Sequence, residues 1–411
     1  MTRFTLSLLT SSLITLGAYA GVEQDITELK EELENYKEMT QSLIDEVSDV
    51  KSGFNYAVVD STQTHYGMGD AASKVYYSKS PLSIGGYGEM YWANPDNGDN
   101  FADVYRFIPY IGYRFNDNII LNTEIEFEHG GDKVVVEFLY LDFLIQKSLN
   151  IRLGNLLVPM GLINLRHEPT LFNTVQRPEL ERNLIPSTWN ENGVLVYGAI
   201  GESDFQYTVG LVNALDLKAG NEASQTQWIR KGRIGSRNKG VMNRVAVVGR
   251  LDYRGYNGLL VGASAYYGDA AQGAVSGSRA FIYAFHASYE VGALKAKGVY
   301  TATSVSDAEV WNNPEAATEA QGYYVNLEYN TLAALPTSMR LPVFIQYEAY
   351  DPTKKTLAAQ NPNNEVRHIN VGINFFPHEQ VVLKMDYMMT NYDNALKEDV
   401  NTFSLGLGFV F

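Results

Sequence analysis

Residues 402–411 alternate without a break: Phe403, Leu405, Leu407, Phe409 and Phe411 fall on one face, Thr402, Ser404, Gly406 and Gly408 on the other. Successive strand side chains point to opposite sides, so this segment presents oil-seeking groups one way and small polar groups the other. A soluble sheet hides its apolar face under a second layer; a sheet closed on itself in lipid turns that face outward and encloses water. The final aromatic, Phe411, is expected to complete the last strand of such a closed sheet.

The start of the chain fits that environment. Arg3 precedes an apolar stretch (Leu8, Leu9, Leu13, Ile14, Leu16), and Ala18-Tyr19-Ala20 then forms a small-residue cleavage site. That predicts a signal peptide over residues 1–20, too short an apolar run for a membrane helix. No later segment offers around twenty consecutive apolar residues, so the only way across lipid is a closed barrel. The absence of cysteine excludes disulfides, thiol chemistry and Cys-ligated metals. A net charge of -15 argues against nucleic acid as a partner. Tyrosine is abundant, 28 residues against 4 tryptophans, and suits a lipid–water boundary where ring and hydroxyl face different media.

Residues 21–52 carry another rhythm. Apolar residues recur at 4-3 spacing through Val22, Ile26, Leu29, Leu33, Tyr36, Leu43, Val47 and Val50, with Thr40 the polar exception. Asp25, Glu32 and Glu46 then stand at g positions opposite Lys30, Lys37 and Lys51 at e, the pairing of parallel strands. This predicts an α-helical coiled coil in which Ile26, Leu29, Leu33, Tyr36, Leu43 and Val47 join chains; the core choices fit a dimer or a trimer. Residues 53–80 show no period and read as a linker.

From 81 to 411 period two dominates, as in Leu121, Thr123, Ile125 and Phe127 against Asn122, Glu124, Glu126 and Glu128. About sixteen such segments fit, which predicts an all-β, transmembrane antiparallel β-barrel of about 16 strands. Short connections (116–118, 146–148, 201–204, 255–258, 292–293, 377–379) alternate with long ones (159–192, 214–241, 305–320, 351–364). Short turns on one rim and long loops on the other are the porin arrangement, and an even count returns the last strand to the short-turn, periplasmic rim. A secreted β-sandwich or propeller also alternates, but its strands are shorter and lack this rhythm.

Arg152-Leu153-Gly154-Asn155-Leu156-Leu157-Val158-Pro159-Met160-Gly161, then Arg177-Pro178-Glu179, then Trp189-Asn190-Glu191-Asn192-Gly193 leading into Val194-Leu195-Val196-Tyr197-Gly198, is similar to a run found in Gram-negative outer-membrane porins. It most resembles the phosphate-selective porin family, through that family's Gly-x-x-x-x-Pro-x-Gly element, inserted loop and Gly-Val re-entry strand. The resemblance implies a sixteen-stranded barrel, a homotrimer, and a loop after strand five that folds inward as a constriction over 159–192. Family members specialised for phosphate line the pore with an arginine ladder, and no ladder of that length stands here.

Alternation puts Arg106, Arg114, Arg152, Arg244, Arg250, Lys295 and Lys297 on the lumen side, with Glu124, Glu126, Glu128, Glu328, Glu348 and Asp386 as the acidic counterpart. Opposed rows of charge order water and polar solutes across a constriction, although such groups also merely pair and solvate a wall. Arg166, His167, Glu168, Arg177, Glu179, Glu181 and Arg182 are the constriction-loop candidates, with Arg166 and Arg177 expected to meet permeant anions. A basic run without acids, Arg230, Lys231, Arg233, Arg237, Lys239, Arg244 and Arg250, would concentrate anions at a mouth; the alternatives are lipopolysaccharide phosphates or a neighbouring subunit. The acidic loop 94–100 lacks the distal glutamate of a calcium loop and reads as a solvated turn.

No Gly-x-Ser-x-Gly, His-Glu-x-x-His or phosphate loop is present, so neither enzyme chemistry, a cofactor nor a metal is expected. The expectation is an outer-membrane porin passing small hydrophilic solutes and ions, with lipid and lipopolysaccharide as surroundings and its coiled coil in the periplasm. The alternative is a structural or adhesive anchor whose coiled coil tethers the membrane to the cell wall, with peptidoglycan as a partner.

Overall fold

The computed structural model describes residues 26–45, 64–236, 239–358, 364–394 and 397–411. The expected signal peptide and the seam residue Val47 lie outside these, as does Arg237. The chain divides into an N-terminal unit, residues 1–57, and a larger unit, 58–411. In the first, residues 26–45 form a helix (α1) whose apolar residues Ile26, Leu29, Leu33, Tyr36 and Leu43 are all exposed.

In the second unit sixteen antiparallel strands close into one barrel, each pairing with its neighbours in chain order and the first with the last. β1 (Leu82–Pro95) pairs with β16 (Val400–Val410) from Tyr87↔Val410 to Pro95↔Thr402. At the seam Phe411 and Gly86 exchange both backbone hydrogen bonds at 2.9 Å. Gly86 sits at φ +152, where a Cβ would lie 2.2 Å from the Ile108 carbonyl oxygen, so the seam closes only without a side chain there.

The two-residue rhythm appears directly as burial. In β3 (Ile119–Glu128), Ile120, Asn122, Glu124 and Glu126 are buried while Leu121, Thr123 and Ile125 are not. Outward-facing Val209, Leu211, Val247, Phe285, Val325, Leu327, Ile345 and Leu383 are exposed. About half exposed each, these eight alone would forgo roughly 6–12 kcal/mol of burial in water, and a continuous apolar belt of this kind suits a lipid surround. Among the described residues no helix is long and apolar enough to cross a membrane.

One rim carries the short connections at 147–148, 292–293 and 379–380, with 331–341 as its long exception. The other rim carries 158–189, 214–244, 270–278, 307–316 and 357–365. The expected linker 53–80 needs correction in its second half. A helix, α2 (Asp70–Tyr77), lies against the inner face of β1, β2 (Phe101–Arg114) and β3, burying Ala71, Ala72, Ser73, Val75 and Tyr76. It approaches so closely that a Cβ on Gly112 would lie 2.4 Å from the Val75 side chain.

Candidate functional site

The barrel interior is occupied mainly by residues 158–189, which leave β5 (Leu149–Leu157), cross the lumen and return at β6 (Asn190–Ala199). Asn164 ties the neck: its amide donates to the carbonyls of Val158 and Trp189, and its side-chain oxygen accepts from the Trp189 N–H at 2.7 Å. Beyond the neck the backbone turns at Gly161, whose carbonyl accepts from Arg250 on β8 (Val245–Tyr253) at 2.5 Å. Glu181, in the short helix α3 (Glu179–Asn183), accepts the N–H groups of Leu162 and Ile163 at 3.0 and 2.7 Å and the Tyr324 hydroxyl at 2.9 Å.

The far wall grips the loop through its backbone. Lys297 on β11 (Leu294–Ser306) donates to the Leu171 carbonyl at 2.9 Å, and Lys384 on β15 (Val381–Tyr392) donates to those of Phe172 and Thr174 at 2.8 and 2.9 Å. Asp386 accepts from the Val175 N–H at 2.7 Å, and Glu348 on β13 (Pro342–Thr356) from that of Leu180 at 2.9 Å. A loop with only one short helix has many orphan backbone groups, and lumen-facing charges are strong partners for them.

The candidate residues therefore divide by role. Arg106 lies within 3.3–3.8 Å of Glu89, Glu126 and Glu128; Arg152 pairs with Asp142; Arg114 donates to the Ser78 carbonyl; Lys295 pairs with Glu290. Arg244 is exposed beside Asp269. Arg250 holds Asp252, His286 and the loop neck. Arg177 is buried, donating to the Tyr87 hydroxyl and the His167 carbonyl, and Glu179 pairs with Arg182 at 2.8 Å. Glu168 accepts from the first N–H groups of α2, Ala71 and Ala72, at 3.1 Å each, and so joins the loop to the helix. Burial and neighbouring Asp70 push its carboxyl up to about 8.

The basic run is also placed. Residues 214–244 carry α4 (Leu217–Ala223) and α5 (Trp228–Lys231) and fold onto the inserted loop. Arg230 donates to the carbonyls of Arg182 and Ser187, and Arg233 to those of Pro186 and Thr188. These two arginines act as clamps between loops, whereas Lys231 and Lys239 are exposed. Burial and the neighbouring Arg233 and Arg182 lower the Arg230 guanidinium to about 9.

A cavity of about 830 Å³ remains between the loop and the short-turn rim. Arg166, Arg254, Lys295 and Arg340 line it together with Asp70, Glu290, Glu328 and Glu379. Of the constriction candidates Arg166 is the one facing this space.

Sequence reading missed Tyr76, Glu137, Asp142, Asp252, Arg254, His286 and Lys384. For Lys384 the signal was present, since it lies between outward Leu383 and Met385. For Tyr76, inside an aperiodic stretch, none was.

The Glu181 geometry sets a pH expectation. Burial raises its carboxyl from 4.5 to about 7, against Arg250, Tyr324 and the two N–H groups, which act in the opposite direction. An acid raised in the docked state holds its proton there, so docking is strongest below about pH 4.5 and weakens as pH climbs through 7. Open-channel noise in a planar bilayer is expected to rise between pH 5 and 8, and Glu181→Gln to flatten that rise. Identical noise profiles for wild type and variant would remove Glu181 as the cause.

Comparison with known proteins adds one relative in sequence and several in fold. An uncharacterized protein of Aquifex aeolicus is 35% identical over 359 residues, covering 81% of each chain. No family model matches. The anion-selective porin of Comamonas acidovorans is similar in fold, with a TM-score of 0.57 at 13% identity over 80% of this chain and 99% of that one. The outer-membrane channel DcaP of Acinetobacter baumannii and Salmonella typhi OmpF each give 0.51, at 12% and 13% identity, over 80% of this chain and 97% of theirs. The sixteen-stranded fold is thus the one seen in outer-membrane porins.

Proposed function

From a chain that belongs to one family with the Aquifex aeolicus protein, we propose an outer-membrane porin: a narrow, water-filled channel for passive diffusion of small hydrophilic solutes and ions. The observation that carries it is a closed barrel, apolar outside and charged inside, crossed by one loop pinned to both walls. The channel would run through the cavity beside Arg166, Arg254 and Arg340, where these and Lys295 and Lys297 face Asp70, Glu290, Glu328 and Glu379, and the small excess of basic groups supports a weak preference for anions. The phosphate-selective family is the nearest functional analogy, although Arg106, Arg152, Arg177 and Arg250 are spent on carboxylates and backbone rather than arrayed along a path.

In this reading residues 21–52 form a periplasmic coiled coil and zip three chains together. The exposed apolar stripe of α1 supports it, because Leu29, Leu33 and Tyr36 gain only when another surface covers them. The densely packed lumen gives the anchor reading its support: a barrel this full serves also as a rigid membrane plug for a tether.

Single-channel conductance, and reversal potential in a salt gradient, test the porin reading on the full chain and on a chain lacking 21–52. Discrete conductance retained by both, with a reversal potential on the anion side, is expected. No conductance at any voltage, with permeability of the envelope untouched and its attachment loosened by the deletion, would establish the anchor instead.

A further inference from the structure

One corner of the lumen is unlike the rest. Glu124 on β3, Glu137 on β4 (Lys133–Gln146) and His167 on the inserted loop bring ligating atoms within 4.8 Å of one another, all buried; it is the one such group among the described residues. Sequence reading gave no metal ligands because these three lie on separate elements with no local spacing. Three independent features of the corner point to a bound cation.

The first is the imidazole. His167 Nδ1 lies 2.9 Å from the Asn164 carbonyl oxygen, which only accepts, so Nδ1 carries hydrogen. In the neutral ring Nε2 is then a lone pair, yet it faces Glu124 Oε1 at 3.0 Å. Two acceptors at that separation need a proton or a metal cation between or beside them. A backbone carbonyl fixing the distant ring nitrogen is the usual way a protein orients a metal-binding histidine.

The second is the charge balance. The nearby cations are engaged elsewhere: Arg106 with Glu89, Glu126 and Glu128, and Arg177 with Glu89, Tyr87 and the His167 carbonyl. Neither Glu124 nor Glu137 has a lysine or arginine within 4.0 Å among the described residues, and Oε2 of each is buried without a hydrogen-bond partner. A carboxylate pair removed from water with no cation in ion-pair contact, and Arg106 and Arg177 acting on it only from a distance, is costly by several kcal/mol per charge. Without a metal the corner needs two protons, one between Glu124 and His167 and one between Glu137 and Glu126, with which it shares a hydrogen bond; one divalent ion neutralises Glu124 and Glu137 and engages His167 together.

The third is backbone. The β3–β4 register shifts between Glu124↔Phe138 and Ile125↔Val136, leaving Glu137 as the unpaired residue of a bulge. Glu137 and Phe138 are both buried, which strict alternation forbids. Without the bulge Glu137 would face lipid; with it, a further carboxylate turns inward beside Glu124, where the Thr188 hydroxyl of the inserted loop orients it. Bulges re-aim side chains at functional positions.

We propose that Glu124, Glu137 and His167 bind one divalent transition ion of the zinc type, which staples the inserted loop to the β3–β4 wall. One nitrogen and two carboxylate oxygens suit zinc and its first-row neighbours, whereas calcium and magnesium take oxygen alone. Water completes the coordination.

The test uses the full chain, folded in detergent and stripped with a chelator. Titration with zinc chloride, read by calorimetry and elemental analysis, is expected to show one ion per chain. His167→Ala and Glu137→Gln are each expected to weaken binding by about tenfold or more. Glu137→Gln keeps the shape of the bulge and guards against a folding failure. Cobalt(II) loaded into the wild-type protein is expected to show ligand-field absorption that His167→Ala abolishes. Substoichiometric zinc binding, or an affinity unchanged in Glu137→Gln, would overturn the site, as would cobalt absorption indistinguishable from the aqueous ion. Conductance plays no part in these readouts, so the site and the porin reading stand or fall separately.

Discussion

Excising residues 164–187 and joining the ends through a short glycine-serine turn is expected to raise single-channel conductance several-fold. The cut leaves the barrel wall intact, because β5 and β6 stay paired from Asn150↔Tyr197 to Leu157↔Asn190 without help from the loop. What is lost is the bar across the lumen. Lys297, Lys384, Asp386 and Glu348 then exchange loop backbone for water, and as charged groups they are well solvated there. Arg230 loses both its carbonyl partners, Arg182 and Ser187, and Arg233 loses that of Pro186 while keeping Thr188, so loop 214–244 is expected to loosen as well and add to the widening. An unchanged conductance, with the excised protein folded, would place the narrowest ring elsewhere.

How much of this was readable in the sequence follows from what period two encodes. Alternation tells which way a side chain points, and so the outward Phe403, Leu405 and Leu407, the sixteen strands and the long insertion after strand five were all legible. Alternation says nothing about what an inward side chain meets. Lys297 and Asp386 read as pore lining, but each holds loop backbone whose path no local pattern records. Glu137 was hidden for the opposite reason: a bulge breaks the rhythm at that one position.

Helix α2 escaped notice because of the medium it packs in. A helix against an apolar core shows an apolar stripe, but this one buries Asp70, Ala71, Ala72, Ser73, Val75 and Tyr76 against a polar lumen wall. Its specificity lies in single contacts. Asn122 donates to the Ala72 carbonyl, Glu168 accepts at its N-terminus, and Tyr76 donates to Asp142.

The last of those contacts reaches a buried ion pair of the barrel wall. Arg152 reaches Asp142 at 2.8 Å through Nη2 and at 3.2 Å through Nε, with side-chain exposures of 7% and 0%. Its guanidinium also packs over the Tyr140 ring at 4.3 Å and touches the Tyr76 hydroxyl. Arg152→Met removes the counterion while Asp142 stays buried, so a loss of about 3–5 kcal/mol is expected in denaturant unfolding from detergent. The double change Asp142→Leu with Arg152→Met deletes both charges and fills similar volume, and is expected to restore part of that loss. Tyr76 limits the recovery, because its hydroxyl exchanges the Asp142 carboxylate for the Tyr140 hydroxyl, at 3.2 Å, as its wall partner. Protease sensitivity at residues 64–80 is expected to follow the same order: highest in the single variant, intermediate in the double and lowest in wild type. A double variant less stable than Arg152→Met would show that the pair contributes through hydrogen bonds to α2 rather than through mutual neutralisation.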